Sequence, residues 1–133
     1  MLFKWRDTFK LDIPEIDAQH QKLFEMGSKL YEIISLKDDC DHYDEIMQII
    51  DELRDYTQYH FSYEEDLMRK KNYENYDTHK IEHDFFIKKL ARIDIEDVEN
   101  DQDKVMLEMV TFLADWISSH ILKTDRQYRE ILK

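Results

Sequence analysis

With 133 residues, 31 acidic against 19 basic side chains and a formal net charge of −12, the chain is about one domain long and repels phosphate backbones and anionic lipid headgroups, which excludes nucleic acid and membrane surfaces as partners. A single glycine, a single proline and a single cysteine leave too few turn formers for a hairpin-rich sheet and permit no internal disulfide. An almost wholly helical protein of the reducing cytoplasm is expected, folded as one domain over 1–133.

Residues 1–15 carry Lys4, Arg6 and Asp7 where a signal peptide needs an apolar run, and no stretch anywhere has membrane-spanning length. An extended amino-terminal arm is expected there. The first helix is expected at about 17–36, on the stripe Ile16, His20, Leu23, Gly27, Leu30, Ile34, with Asp17 as its amino-terminal cap. The acidic turn after it holds Cys40, read as a loop residue because neighbouring anions disfavour a thiolate, and His42, read as a surface residue.

The second helix, about 42–70, carries Ile46, Ile50, Leu53, Thr57, His60, Glu64 and Leu67 and fades into Arg69-Lys70-Lys71-Asn72, where basic residues suit a helix carboxyl terminus. The third, about 75–94, runs His79, His83, Phe86, Leu90, Ile93 and dissolves into an acidic connection. The fourth, about 102–122, runs Met106, Val110, Leu113, Ile117, His120, Thr124. Asp125 does not fit this stripe, since five residues of α-helix turn a side chain roughly 140° from its starting direction. A helix end or bulge between His120 and Asp125 is expected.

Short connections make successive helices antiparallel, giving an all-α, up-down-up-down four-helix bundle with a short carboxyl-terminal segment. Alternating direction then brings His20, His60, Glu64, His79, His83 and His120 to one end of the bundle. Five imidazoles and a carboxylate in one layer of a small core would leave many polar groups without partners, at roughly 1–3 kcal/mol each, whereas metal ions satisfy them together. Seven ligands including Asp125, two of them carboxylates able to bridge, suit two adjacent ions. Nitrogen-rich mixed ligation points to iron, ahead of manganese, copper or zinc. Ferritin-like di-iron bundles use Glu-x-x-His pairs, and none occurs here.

The segments Ile16-Asp17-Ala18-Gln19-His20, His60-Phe61-Ser62-Tyr63-Glu64, His79-Lys80-Ile81-Glu82-His83 and His120-Ile121-Leu122-Lys123-Thr124-Asp125 together resemble the hemerythrin family. Trp5 and the Ile-Asp-x-Gln-His run resemble its bacterial, single-domain branch. The resemblance implies two iron ions bridged by an oxo or hydroxo group, with His79, His83 and His120 on one iron, His20 and His60 on the other, and Glu64 and Asp125 bridging. It also implies an apolar oxygen pocket at Leu23, Phe61, Trp116 and Ile117, and a Tyr128 that closes the metal end of the bundle. Asp17, Gln19 and Glu82 are candidates to orient the imidazoles. The Tyr56, Tyr59, Tyr63, Tyr73 and Tyr76 cluster is read as core and rim packing.

The function so implied is reversible binding of dioxygen for storage, delivery or scavenging by a cytoplasmic monomer, an oxygen-binding protein rather than an enzyme. Nitric oxide, azide and peroxide are further small ligands expected at the same site. The alternatives are a di-iron enzyme that reduces peroxide or nitric oxide, and an oxygen or redox sensor that acts through a separate partner. No general acid is visible near the site, and only eight residues lie beyond Asp125, which places both alternatives second.

Overall fold

In a computed structural model, which describes residues 3–36, 42–91 and 102–132, the chain forms an all-α bundle of four long helices. These are α1 (Pro14–Ile34), α2 (Tyr43–Lys70), α3 (Tyr76–Ala91) and α4 (Gln102–Ser119). Helix α1 packs on α2 and α4, and α2 on α3, while side chains of α3 and α4 meet across the remaining side. Cys40 and the expected end of the third helix at 92–94 lie outside the described residues.

Helix α1 begins at Pro14, earlier than its apolar stripe suggested, because a proline is accommodated in a first turn where no intrahelical N–H bond is required. Asp17 is therefore not the cap. Ile13 occupies that position without a side-chain cap bond, and the Asp17 carboxylate instead accepts the Leu11 backbone N–H at 2.9 Å, tying the arm to the helix. The arm is a packed part of the molecule: Phe3 and Phe9 are buried against Phe24, and the Phe3 ring lies where a Cβ on Gly27 would stand. Glycine is thus the residue that lets the arm cross α1 closely.

Helix α2 carries Asp44 and Glu45 in its first turn and Arg69 and Lys70 in its last, both signs matched to the helix dipole. It stops because Asn72 takes a left-handed conformation (φ 53°), so that the Tyr73 N–H bonds the Met68 carbonyl at 2.9 Å and the Asn72 N–H bonds that of Arg69 at 3.1 Å. This is a Schellman termination, and it turns the chain directly into α3.

Helix α4 gives way at its end to a π-helical turn, His120–Thr124, then to a 3-10 turn, Asp125–Tyr128, and a last helical turn, Arg129–Leu132. The bulge expected between His120 and Asp125 is present. A π turn adds a residue per turn, so positions five apart face the same way, and the Asp125 N–H reaches the His120 and Ile121 carbonyls.

Two apolar clusters organise the interior. The larger fills the bundle from Leu30 and Ile46 to Phe61 and Ile117. The smaller, made by Leu11, Ile13, Ile16, Met68, Tyr73 and Tyr128, caps the end where the histidines gather.

Candidate metal centre

Every residue expected as a metal ligand is buried at that capped end, and the seven fall into two groups of converging ligand atoms. His79, His83, His120 and Asp125 form one, and His20, His60 and Glu64 the other, with the atoms of each group within 4.8 Å of one another. Each helix contributes for the reason its sequence implies. His20 sits in the second turn of α1, His60 and Glu64 stand one turn apart late in α2, and His79 and His83 one turn apart early in α3. His120 and Asp125 share a direction only because of the π turn.

The carboxylates lie between the groups. Asp125 turns Oδ2 to His20 Nε2 at 3.1 Å and Oδ1 to His79 Nε2 at 2.9 Å and His120 Nε2 at 3.0 Å. Glu64 Oε1 lies 2.6 Å from His60 Nε2 and 4.0 Å from His20 Nε2, while Oε2 lies 3.9 Å from His79 Nε2. The Nε2 atoms of His83 and His120 face each other at 3.1 Å.

These short approaches do not amount to satisfied hydrogen bonding. The Nε2 atoms of His20 and His79, Oε1 of Glu64 and both oxygens of Asp125 are buried with no hydrogen-bond partner among the described residues. Five such orphans gathered in one layer are costly, because each is worth roughly 1–3 kcal/mol. Donor atoms about 3 Å apart are what an ion roughly 2.1 Å from each ligand requires, so the donor set fits bound metal.

Three of the five far nitrogens are held as well. His60 Nδ1 meets Gln19 Oε1 at 2.6 Å and His120 Nδ1 meets Glu82 Oε1 at 3.1 Å, two of the three orienting partners that the sequence suggested. Asp17 is not one, being engaged with Leu11. The third partner is Glu65, whose Oε2 lies 2.9 Å from His83 Nδ1. Its only signal in the sequence is its place beside Glu64.

Tyr128 is fully buried, lies nearly parallel to the His79 ring at 5.5 Å and donates its hydroxyl to Glu64 Oε2 at 2.5 Å. Burial and the two carboxylates push its own ionisation well upward, so it remains a donor. It therefore closes the ligand end and also fixes a ligand. Replacing Tyr128 with Phe removes a charge-assisted bond worth about 1.5–3 kcal/mol. A lower thermal midpoint for metal-free Tyr128→Phe is the expected result, and an unchanged midpoint would show that this bond contributes nothing.

Burial opposes charge on His20, but Asp125 and Glu64 outweigh it and raise the pKa to about 9. At His120 burial is outweighed by Asp125 and Glu82, and the value reaches about 10. At His60 burial prevails and the pKa falls. Burial also works against ionised Glu64 and Asp125, yet the surrounding imidazoles hold both below the ordinary carboxylate range. Metal must displace a proton from a protonated imidazole. Loading divalent metal at pH 7 is therefore expected to release protons from His20 and His120, and the release should fade as pH rises through about 9 to 10. Proton uptake by a dye in weak buffer measures this directly, and release that grew with pH would contradict it.

A small cavity adjoins the centre, lined by His20, His60, His120 and Asp125 on one side and by Leu23, Phe61, Trp116 and Ile117 among its apolar walls. Its volume open to the centre of a water-sized molecule is about 10 Å³, the space of one such molecule. All four residues expected at a pocket thus line one. Phe86, Ile121 and Thr57 line it too, and the Thr57 hydroxyl is spent on the Leu53 carbonyl at 2.5 Å. His42 caps α2 beside Glu45, apart from the centre. Of the tyrosines, Tyr56, Tyr59 and Tyr63 form a ladder along α2, and Tyr73 is buried in the cluster that caps the centre.

Comparison with known proteins agrees with this geometry. A family model described as the hemerythrin HHE cation binding domain matches residues 11–132. A bacteriohemerythrin of Clostridium acetobutylicum is 46% identical over 127 residues, covering 96% of this chain and 98% of that protein. A bacteriohemerythrin of Stenotrophomonas maltophilia is 32% identical, covering 99% of this chain and 82% of that protein. The crystal structure of a wild-type hemerythrin superposes with a TM-score of 0.78 at 29% identity, covering 97% of this chain and 96% of that one.

Proposed function

Because the chain belongs to the hemerythrin family, we propose that it binds dioxygen reversibly at a non-haem di-iron centre. In this reading His79, His83 and His120 hold one iron, His20 and His60 hold the other, and Glu64 and Asp125 bridge the pair together with an oxo or hydroxo group. The observation that carries it is the pairing of two ligand clusters with one small, largely apolar cavity whose wall takes residues from both, His20 and His60 from one and His120 and Asp125 from the other.

Bound iron supplies the two electrons on which oxygen binding draws and which return when oxygen leaves. The chain does the rest. Leu23, Phe61, Trp116 and Ile117 keep water and anions from the binding position, and the cavity they line has the space of one small molecule. Gln19, Glu65 and Glu82 fix the ring orientations of His60, His83 and His120, and Tyr128 fixes Glu64.

Apart from the residues assigned to the metal, the side chains lining the cavity present no acid that would drive peroxide or nitric oxide onward, since their one hydroxyl, on Thr57, donates to the Leu53 carbonyl. That favours storage, delivery or scavenging of oxygen over reduction. No helix among the described residues is long and apolar enough to cross a membrane, which is compatible with a cytoplasmic carrier. The test is stoichiometry. Purified protein should contain two irons per chain and, once reduced, take up one dioxygen per chain; one iron, or uptake far from one dioxygen, would overturn the reading.

A further inference from the structure

The ring nitrogens that face away from the centre are not treated alike. Since the Nε2 atoms converge on the ligand positions and must be free of protons to bind metal, each Nδ1 carries the hydrogen. His83 donates to Glu65 at 2.9 Å and His120 to Glu82 at 3.1 Å. Both acceptors are acidic side chains, and Glu82 is pinned by the Thr124 hydroxyl at 2.8 and 3.1 Å from its two oxygens. On the other side His60 donates to the amide oxygen of Gln19 at 2.6 Å. Nδ1 of His20 and of His79 has no hydrogen-bond partner among the described residues. Two anions therefore stand behind the three-histidine group and none behind the two-histidine group.

A carboxylate that accepts the far N–H of a ligating imidazole makes that imidazole a stronger electron donor, and a neutral amide does so less. We propose that Glu65 and Glu82 make the three-histidine half of the centre the half that holds ferric charge, while Gln19 leaves the two-histidine half the one that stays ferrous. This assignment rests on the di-iron reading above. Glu65 has a side chain only 13% exposed against 39% for Glu82, so solvent screens Glu65 less and its contribution is the larger.

Unequal halves lose their electrons at separate potentials, and the half-oxidised protein then accumulates. Stepwise titration of the reduced protein with a one-electron oxidant, one electron leaving per step, reads this as the comproportionation constant of the half-oxidised state, monitored by electron paramagnetic resonance. Glu65→Gln is expected to lower that constant about tenfold, a 59 mV smaller gap between the two steps, and Glu82→Gln to lower it by less. Gln19→Glu is expected to lower it too, because it strengthens the weaker half, although it moves the mean potential down whereas the two Glu→Gln changes move it up. A charge acting on both irons alike would shift the mean potential and leave the constant alone. An unchanged constant in all three variants with two irons bound, or opposite changes for Glu65→Gln and Gln19→Glu, overturns this assignment only. A wild-type chain without two irons overturns the functional reading and this one with it.

Discussion

Asp125→Ala is expected to strip metal from both halves of the centre. Among the described residues, no other side chain turns one oxygen toward His20 and the other toward His79 and His120 at 2.9 to 3.1 Å. In the proposed arrangement its loss would remove a ligand from each ion, so binding should weaken by well over the roughly 10- to 100-fold that loss of an orienting partner causes. Elemental analysis after exposure to a mild chelator should find almost no iron. His60→Ala provides the contrast, because it removes one ligand from the three-membered group alone, and about one iron per chain should survive. Retention of two irons by Asp125→Ala would show that the carboxylate is structural. The metal-free variant should also be less stable than the metal-free parent, since His20 and His120 lose the anion that offsets the burial of their charge.

Phe61→Ala carries the second large effect, and it separates stability from oxygen chemistry. The Phe61 ring is 3% exposed, stacks on the His83 imidazole at 3.8 Å and 4°, meets Phe86 edge-on at 5.7 Å, and lines the cavity. Truncating a buried phenylalanine costs about 3–5 kcal/mol, part of it for the hole left behind. Here the hole opens onto the ligand groups, so water gains access and bound oxygen should be lost irreversibly, with faster oxidation of the reduced protein. Leu30→Ala is the control. Leu30 is fully buried in the same apolar core but takes no part in lining the cavity, so it should cost a comparable, roughly 2–5 kcal/mol while leaving the oxidation rate unchanged. Equal oxidation rates in the two variants would mean that the walls of the cavity do not protect the site.

The main features of the centre were legible because ligand positions obey helix geometry. His60 with Glu64 and His79 with His83 are one turn apart, and antiparallel order brings them level with His20 and His120. Asp125 was legible through its misfit: five residues cannot share a direction on an α-helix, and the chain resolves this with a π turn. Asp17 misled because a capping carboxylate is recognised by the helical residues downstream of it, whereas this one reaches back to the Leu11 N–H, six residues upstream, a contact that exists only once the arm is packed. Glu65 was invisible for a related reason. A carboxylate on the flank of α2 looks solvated until α3 places His83 beside it. Tyr128 was expected to pack at the metal end, but its bond to Glu64 depends on the π and 3-10 turns after α4, whose direction no periodicity specifies.

Reversibility is the property on which the oxygen-binding function depends, and it has a direct measurement. Protein reduced without oxygen and then exposed to it should gain a visible absorption band, lose that band when oxygen is removed by argon, and regain it over repeated cycles with little loss. Oxidation at the first exposure, with a spectrum that argon does not reverse, would contradict that function.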